Sequence, residues 1–147
     1  MSARRWWTTV ASALAVVACS GGGSGVPPAE MVGTWNVTRY ELVSTSSSTT
    51  KVDLISLGGS ATLAMKADGT YQMAMQAPGQ PAESPTGTWS LSTDVLTTTQ
   101  DGMAGNMQFD YTLSGSTLTL TGADSQWDFN GDGVDEPAKL NIAAVRG

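Results

Sequence analysis

Beyond Pro28 the chain never sustains a helical period; apolar residues recur at alternate positions in short runs cut by Gly, Asp, Ser or Pro. Such a chain can bury its apolar side only as sheet. Alternation is clearest at Met107, Phe109, Tyr111 and Leu113, with Gln108, Asp110 and Thr112 between them. Ser114-Gly115-Ser116 turns that run into Leu118 and Leu120. Ala67-Asp68-Gly69 likewise joins Leu63 and Met65 to Tyr71, Met73 and Met75, and Thr93-Asp94 joins Trp89 and Leu91 to Leu96 and Thr98. Further strands are expected over 34–43, over 52–66 with a bulge at Gly58-Gly59, in a run reaching Phe129, and over 138–146.

The pattern predicts an all-β domain of eight strands, ten at most, in an antiparallel up-and-down barrel. Loop lengths then sort by end. One end receives only the turns at Asp68, Asp94 and Gly115, and the other receives the connections at 44–50, 76–86, 101–105 and 130–137. Closure of an even meander sets the start of the first strand beside the end of the last, at the tight-turn end.

Gly33-Thr34-Trp35 opening the first strand, Arg146 closing the last, and one tight and one loop-rich end resemble the lipocalins and the bacterial lipocalin-like domains. The resemblance covers about residues 31–146 in layout, and Gly-X-Trp partly recurs as Gly69-Thr70-Tyr71 and Gly87-Thr88-Trp89. It implies that Trp35 plugs the closed end and that Arg146 packs across its ring, a cation–π contact worth about 1 kcal/mol. Both roles are structural. The resemblance also implies a small apolar ligand held between the tight end and the open loops, with Tyr71, Met73, Met75, Trp89, Met107, Phe109 and Tyr111 as the expected wall. An eight-stranded barrel can equally be filled by its own side chains, leaving a scaffold or interaction module with function on its outer loops. A cavity approaching about 300 Å³ separates the two.

Upstream, Arg4 and Arg5 precede an apolar stretch, Trp6 to Ala18, too short to span a bilayer, and Val16-Val17-Ala18 leads into Cys19, the only cysteine. This resembles a bacterial lipoprotein signal, which implies removal of residues 1–18 and a covalent lipid on Cys19. More than one acyl chain would make the membrane attachment stable. Residues 19–30 then form the lipidated start and a Gly/Ser/Pro tether, and residues 31–147 the barrel. The expected address is the cell envelope; Ser20, where the enteric pattern has aspartate for inner-membrane retention, leans towards the outer membrane.

Of seven basic residues, losing Arg4 and Arg5 leaves five against 13 acidic, a formal charge of −8. A chain this acidic is expected to bind no nucleic acid and no anionic membrane surface. A monomer is expected.

In Asp128-Phe129-Asn130-Gly131-Asp132-Gly133-Val134-Asp135-Glu136, oxygen-bearing side chains alternate before a glycine and a later carboxylate, the spacing by which a short loop wraps a hard cation. Asp128, Asn130, Asp132, the Val134 carbonyl and Glu136 are the candidate calcium ligands. Lys139 stands where an EF-hand carries its last carboxylate, so the segment resembles strand-flanked calcium loops more closely. The alternative is a turn without metal, since these residues are also turn formers.

The chain has no histidine, and no serine sits in a nucleophile-elbow setting, so no enzyme is expected. Met65, Met73, Met75, Met103 and Met107 could serve copper(I) but are better placed as core or pocket lining. Arg39 and Glu41 would point inward with Trp35 and Val37 along a regular strand. A bulge turning Tyr40 and Leu42 inward, or an Arg39–Glu41 pair at the mouth, resolves this.

Overall fold

The computed structural model describes residues 29–147, so the expected signal, Cys19 and the expected tether as far as Pro28 lie outside the described residues. Among the described residues nine strands run in order: β1 (Gly33–Ser44), β2 (Lys51–Asp53), β3 (Ser60–Met65), β4 (Thr70–Gln76), β5 (Thr86–Ser92), β6 (Val95–Gln100), β7 (Met107–Ser114), β8 (Thr117–Trp127) and β9 (Glu136–Arg146). From β3 onward each pairs antiparallel with the next, while β1 pairs β3 on one side and β9 on the other, closing an eight-stranded barrel. The ninth strand, β2, lies outside that circuit and bonds only the far half of β1, through Glu41, Leu42 and Val43.

The continuous strand expected over 52–66 does not form. Asp53 ends it, because its carboxylate accepts the backbone N–H groups of Tyr40 and Ile55, both at 3.1 Å, and the Ser56 hydroxyl at 2.7 Å. An aspartate that bonds nearby backbone offers the chain a turn in place of a ladder. Leu57, Gly58 and Gly59 then donate back to the carbonyls of Asp53, Ile55 and Leu54, so the two glycines close a turn instead of forming a bulge.

Alternation puts Trp35, Leu63, Met65, Tyr71, Trp89, Leu96, Phe109, Leu118, Leu120, Leu140 and Ile142 in one buried core. Outward positions such as Thr88, Ser90, Gln108, Asp110 and Glu41 are polar. That is the reverse of a membrane-spanning barrel, whose outer band is apolar. Among the described residues no helix is long and apolar enough to cross a membrane.

At the closed end Trp35 is fully buried and its Nε1–H donates to the Met31 carbonyl at 3.0 Å. The Arg146 guanidinium lies 4.4 Å from the Trp35 ring centroid and donates to the Val32 carbonyl at 2.9 Å and to the Glu30 carbonyl. Gly33 makes room for that guanidinium: a Cβ there would stand 2.6 Å from Arg146 Nη1.

Candidate functional site

The register of β1 shifts against β9 between Val37 and Arg39, a bulge at Thr38. An extra residue in one strand reverses the sidedness of the residues beyond it. Arg39 is therefore exposed, while Tyr40 and Leu42 turn inward. Glu41 meets Lys51 at 3.4 Å on the outside of the barrel, not Arg39. Tyr40 is clamped on its backbone: its N–H donates to Asp53 Oδ1, and its carbonyl accepts from Leu54 N–H at 3.0 Å. Burial alone would raise the Asp53 carboxyl, but the bonds from Ser56, Tyr40 and Ile55 outweigh it and hold the group below its ordinary value.

Two voids meet at Tyr40. A mouth void of about 290 Å³ is lined by Tyr40, Leu42, Leu54, Met75 and Trp127, with Gln80, Glu83, Ser125 and Gln126 among its polar walls. Below it lies a deeper, more apolar void of about 90 Å³ that includes Met65, Tyr71, Met73, Met107 and Phe109, and again Tyr40 and Met75. The segment 77–85 shapes one side of the mouth. Glu83 and Met75 exchange backbone bonds at 2.7 and 2.8 Å, and Met73 N–H donates to the Pro85 carbonyl at 2.9 Å, folding this segment back along β4.

The wall expected from sequence is corrected in two respects. Tyr71, Met73, Met75, Met107 and Phe109 do line the deep void, yet at about 90 Å³ it is far below an ordinary ligand pocket, and only Met75 also reaches the larger void. Trp89 and Tyr111 line neither. The Trp89 indole is spent at the tight end, donating to the carbonyls of Lys66 at 3.2 Å and Thr70 at 3.0 Å, and the Tyr111 hydroxyl donates to the Thr93 carbonyl at 3.1 Å. Alternation tells which side of a strand a residue takes but not how far along the barrel axis it lies. Met103 is 64% exposed and belongs to neither core nor void.

Sequence reasoning missed Leu54 and Trp127, and it turned Tyr40 inward through a bulge without placing it in the wall. Only the Arg39–Glu41 anomaly pointed to Tyr40. Burial pushes the Tyr40 phenol up to about 12, and the nearby Tyr71 adds to it, so the hydroxyl keeps its proton at neutral pH. No group of the described residues hydrogen-bonds that hydroxyl, and no fully buried side-chain polar atom lacks a partner; the hydroxyl therefore faces the void.

In the 128–136 loop, carboxylate oxygens of Asp128, Asp132 and Glu136 lie within 4.8 Å of one another. The loop also holds itself. Asp128 accepts the N–H groups of Gly131, Asp132 and Gly133, which keeps its carboxyl below the usual range, the Gly133 bond contributing most. Asn130 accepts from Asp132 N–H and donates to Glu136 Oε1, and Val134 is exposed, its N–H on Asp132 Oδ1.

A closed eight-stranded meander, plugged by a tryptophan under an arginine at one end and open at the other, agrees with a family match: the model of the lipocalin-like domain matches residues 31–120. The chain belongs to the lipocalin-like domain family. No curated protein matches it. Among solved structures, the lipocalin-like chain is similar to "Structure of EF1p2_mFAP2b bound to DFHBI", with a TM-score of 0.49 and 14% identity over 80% of this chain and 94% of that one.

Proposed function

We propose that this lipocalin-like protein is a membrane-anchored lipoprotein that binds one small, largely apolar molecule at the barrel mouth. The observation that carries the binding is the void of about 290 Å³ at Tyr40, Met75 and Trp127, which sits at the lower bound of ligand pockets (about 300 Å³) and adjoins the deep apolar void. Met75 stands between the two, and its unbranched side chain can yield to an entering apolar group. The site thus moves from mid-barrel to the mouth, and the ligand is small. We assign it no catalysis.

The test is titration with an uncharged apolar dye, phenylnaphthylamine, whose fluorescence rises in apolar surroundings. One saturable site is expected, and Ser125→Trp, which fills the mouth void from a half-buried position, should abolish it while circular dichroism stays unchanged. Absence of saturable binding by the unaltered protein leaves a filled barrel acting as a scaffold.

Attachment is proposed to rest on the lipid at Cys19, with the cell envelope, and its outer membrane where there are two, as the address. Cys19→Ser should then move the protein from the membrane to the soluble fraction; retention in the membrane fraction overturns the anchor. Calcium is proposed for the 128–136 loop on the closeness of its three carboxylates.

A further inference from the structure

The walls of the mouth have a one-sided chemistry. Five basic residues lie within 29–147, namely Arg39, Lys51, Lys66, Lys139 and Arg146, and none lines either void. Two are engaged outside the barrel, Lys51 with Glu41 and Lys139 with Asp124, and Arg146 is spent on Trp35. Among the described residues the only charged one on the mouth void is an acid, Glu83, whose backbone is fixed to Met75 from both sides. Facing the same space are two aromatic side chains, Tyr40 and Trp127. Aromatic faces and a carboxylate with no competing cation form a receptor for positive charge. An acidic head would be desolvated beside Glu83 with only the neutral groups of Tyr40, Ser125, Gln80 and Gln126 to receive it.

We infer that the mouth site selects a cationic amphiphile: its apolar chain passes Met75 into the deep void, and its ammonium head stays at the mouth among Trp127, Tyr40 and Glu83. This deepens the proposed binding at the mouth and rests on it. The Tyr40 hydroxyl, protonated and without a protein partner, accepts an N–H of the head or is met by its water. Fatty acids, the anionic counterparts of the same shape, are discriminated against.

The experiment holds the chain constant and changes the head, with calorimetric titration of the purified protein at neutral pH by decylamine, decanol and decanoate below their aggregation concentrations. Decylamine should bind about three- to tenfold tighter than decanol, the strength of a partly desolvated cation–π contact plus an exposed ion pair. Decanoate should bind at least about tenfold more weakly than decanol, the cost of an unpaired charge. Glu83→Gln and Trp127→Leu should each erase most of the preference for decylamine over decanol, and Glu83→Lys should reverse the order of decylamine and decanoate. Decanoate binding as tightly as decylamine to the unaltered protein, or a preference for decylamine that survives both variants, overturns the inference while the mouth site stands. Failure of all three probes to bind overturns the mouth site itself and the inference with it.

Discussion

The two ends of this barrel are built from similar residues put to opposite uses. At the closed end two tryptophans are spent on structure: Trp35 lies under Arg146 with its indole N–H on Met31, and Trp89 donates to the Lys66 and Thr70 carbonyls. At the mouth, Trp127 and Tyr40 border a void, and no described group bonds the Tyr40 hydroxyl. Strands joined by tight turns satisfy their own backbone, so side chains at that end are free to close-pack. Longer connections leave gaps that side chains do not fill. Stability should therefore concentrate at one end and recognition at the other, the division expected where loops are carried on a rigid scaffold.

The largest expected effect is at the closed end. Trp35→Ala should cost about 3–5 kcal/mol, a large share of the total stability of a domain this size. Trp127→Ala, a change of the same chemistry at the mouth, should cost about 1–2 kcal/mol because its side chain is only half-buried, while removing binding of the apolar dye. Urea unfolding of the two variants measures the contrast. Equal losses would dissolve the division between the ends.

A second strong effect should come from the seam between β5 and β6. Gly87 lies so close to its neighbour that a Cβ would stand 2.0 Å from the Thr99 carbonyl oxygen and 2.8 Å from Tyr71 Cε1. Gly87→Ala should cost about 2–3 kcal/mol through displacement of backbone, and it should also shift Tyr71 in the deep void. A stability loss without any change in dye affinity would show that the deep void takes no part in binding.

The strand faces and tight turns of the closed end were legible in the sequence because their determinants are local. Period-two alternation gave the faces of β3 to β8, and Asp68, Asp94 and Gly115 gave the turns. The mouth was not legible, because three non-local events make it. The bulge at Thr38 decides that Tyr40 faces inward, Asp53 reaches across to Tyr40 and breaks the expected long strand, and the 77–85 segment folds back on Met75. Only the first leaves a periodic trace, the charges of Arg39 and Glu41 at positions a regular strand would bury. Trp89 and Tyr111 were assigned to the wall for the same reason in reverse: their alternation is regular, but their depth depends on where the tight turns fall.

Asp53 sharpens the comparison, since its carboxylate clamps Tyr40 at the mouth. Asp53→Ala should cost about 1–2 kcal/mol, the range of a capping side chain, and should weaken dye binding because Tyr40 loses its clamp. The pH dependence has a definite sign. A carboxyl whose folded value is depressed contributes stability above the ordinary carboxylate pKa and loses it as pH falls through the folded value. The unaltered protein and Asp53→Asn should therefore converge in stability below about pH 4, having differed at neutral pH. A gap that stays constant down to strong acid would mean that the ionised form of Asp53 does nothing for the mouth.

The smallest expected effect is that of calcium at the 128–136 loop, and its smallness comes from the loop's own bonds. Asp128 already holds three backbone N–H groups and Glu136 holds those of Phe129 and the Asn130 amide, so the ion has little folding left to drive. It would relieve the repulsion among Asp128, Asp132 and Glu136 and fix the start of β9, whose pairing with β1 closes the barrel. With an incomplete, exposed shell, the dissociation constant should fall at about 0.1–1 mM, as in extracellular modules. At a tenfold excess the linked stabilisation is about 1.4 kcal/mol, which raises the unfolding midpoint by roughly 4 °C for a domain of this size. Thermal unfolding with millimolar calcium and with chelator reads this shift, and Asp132→Asn should remove it by taking one charge from the triad while leaving the turn intact. A midpoint indifferent to calcium would make this connection a self-sufficient turn. Barrel closure would then rest on the β1–β9 ladder, which runs to Ser44 and Ala138 at the mouth, and on the packing of Trp35 beneath Arg146.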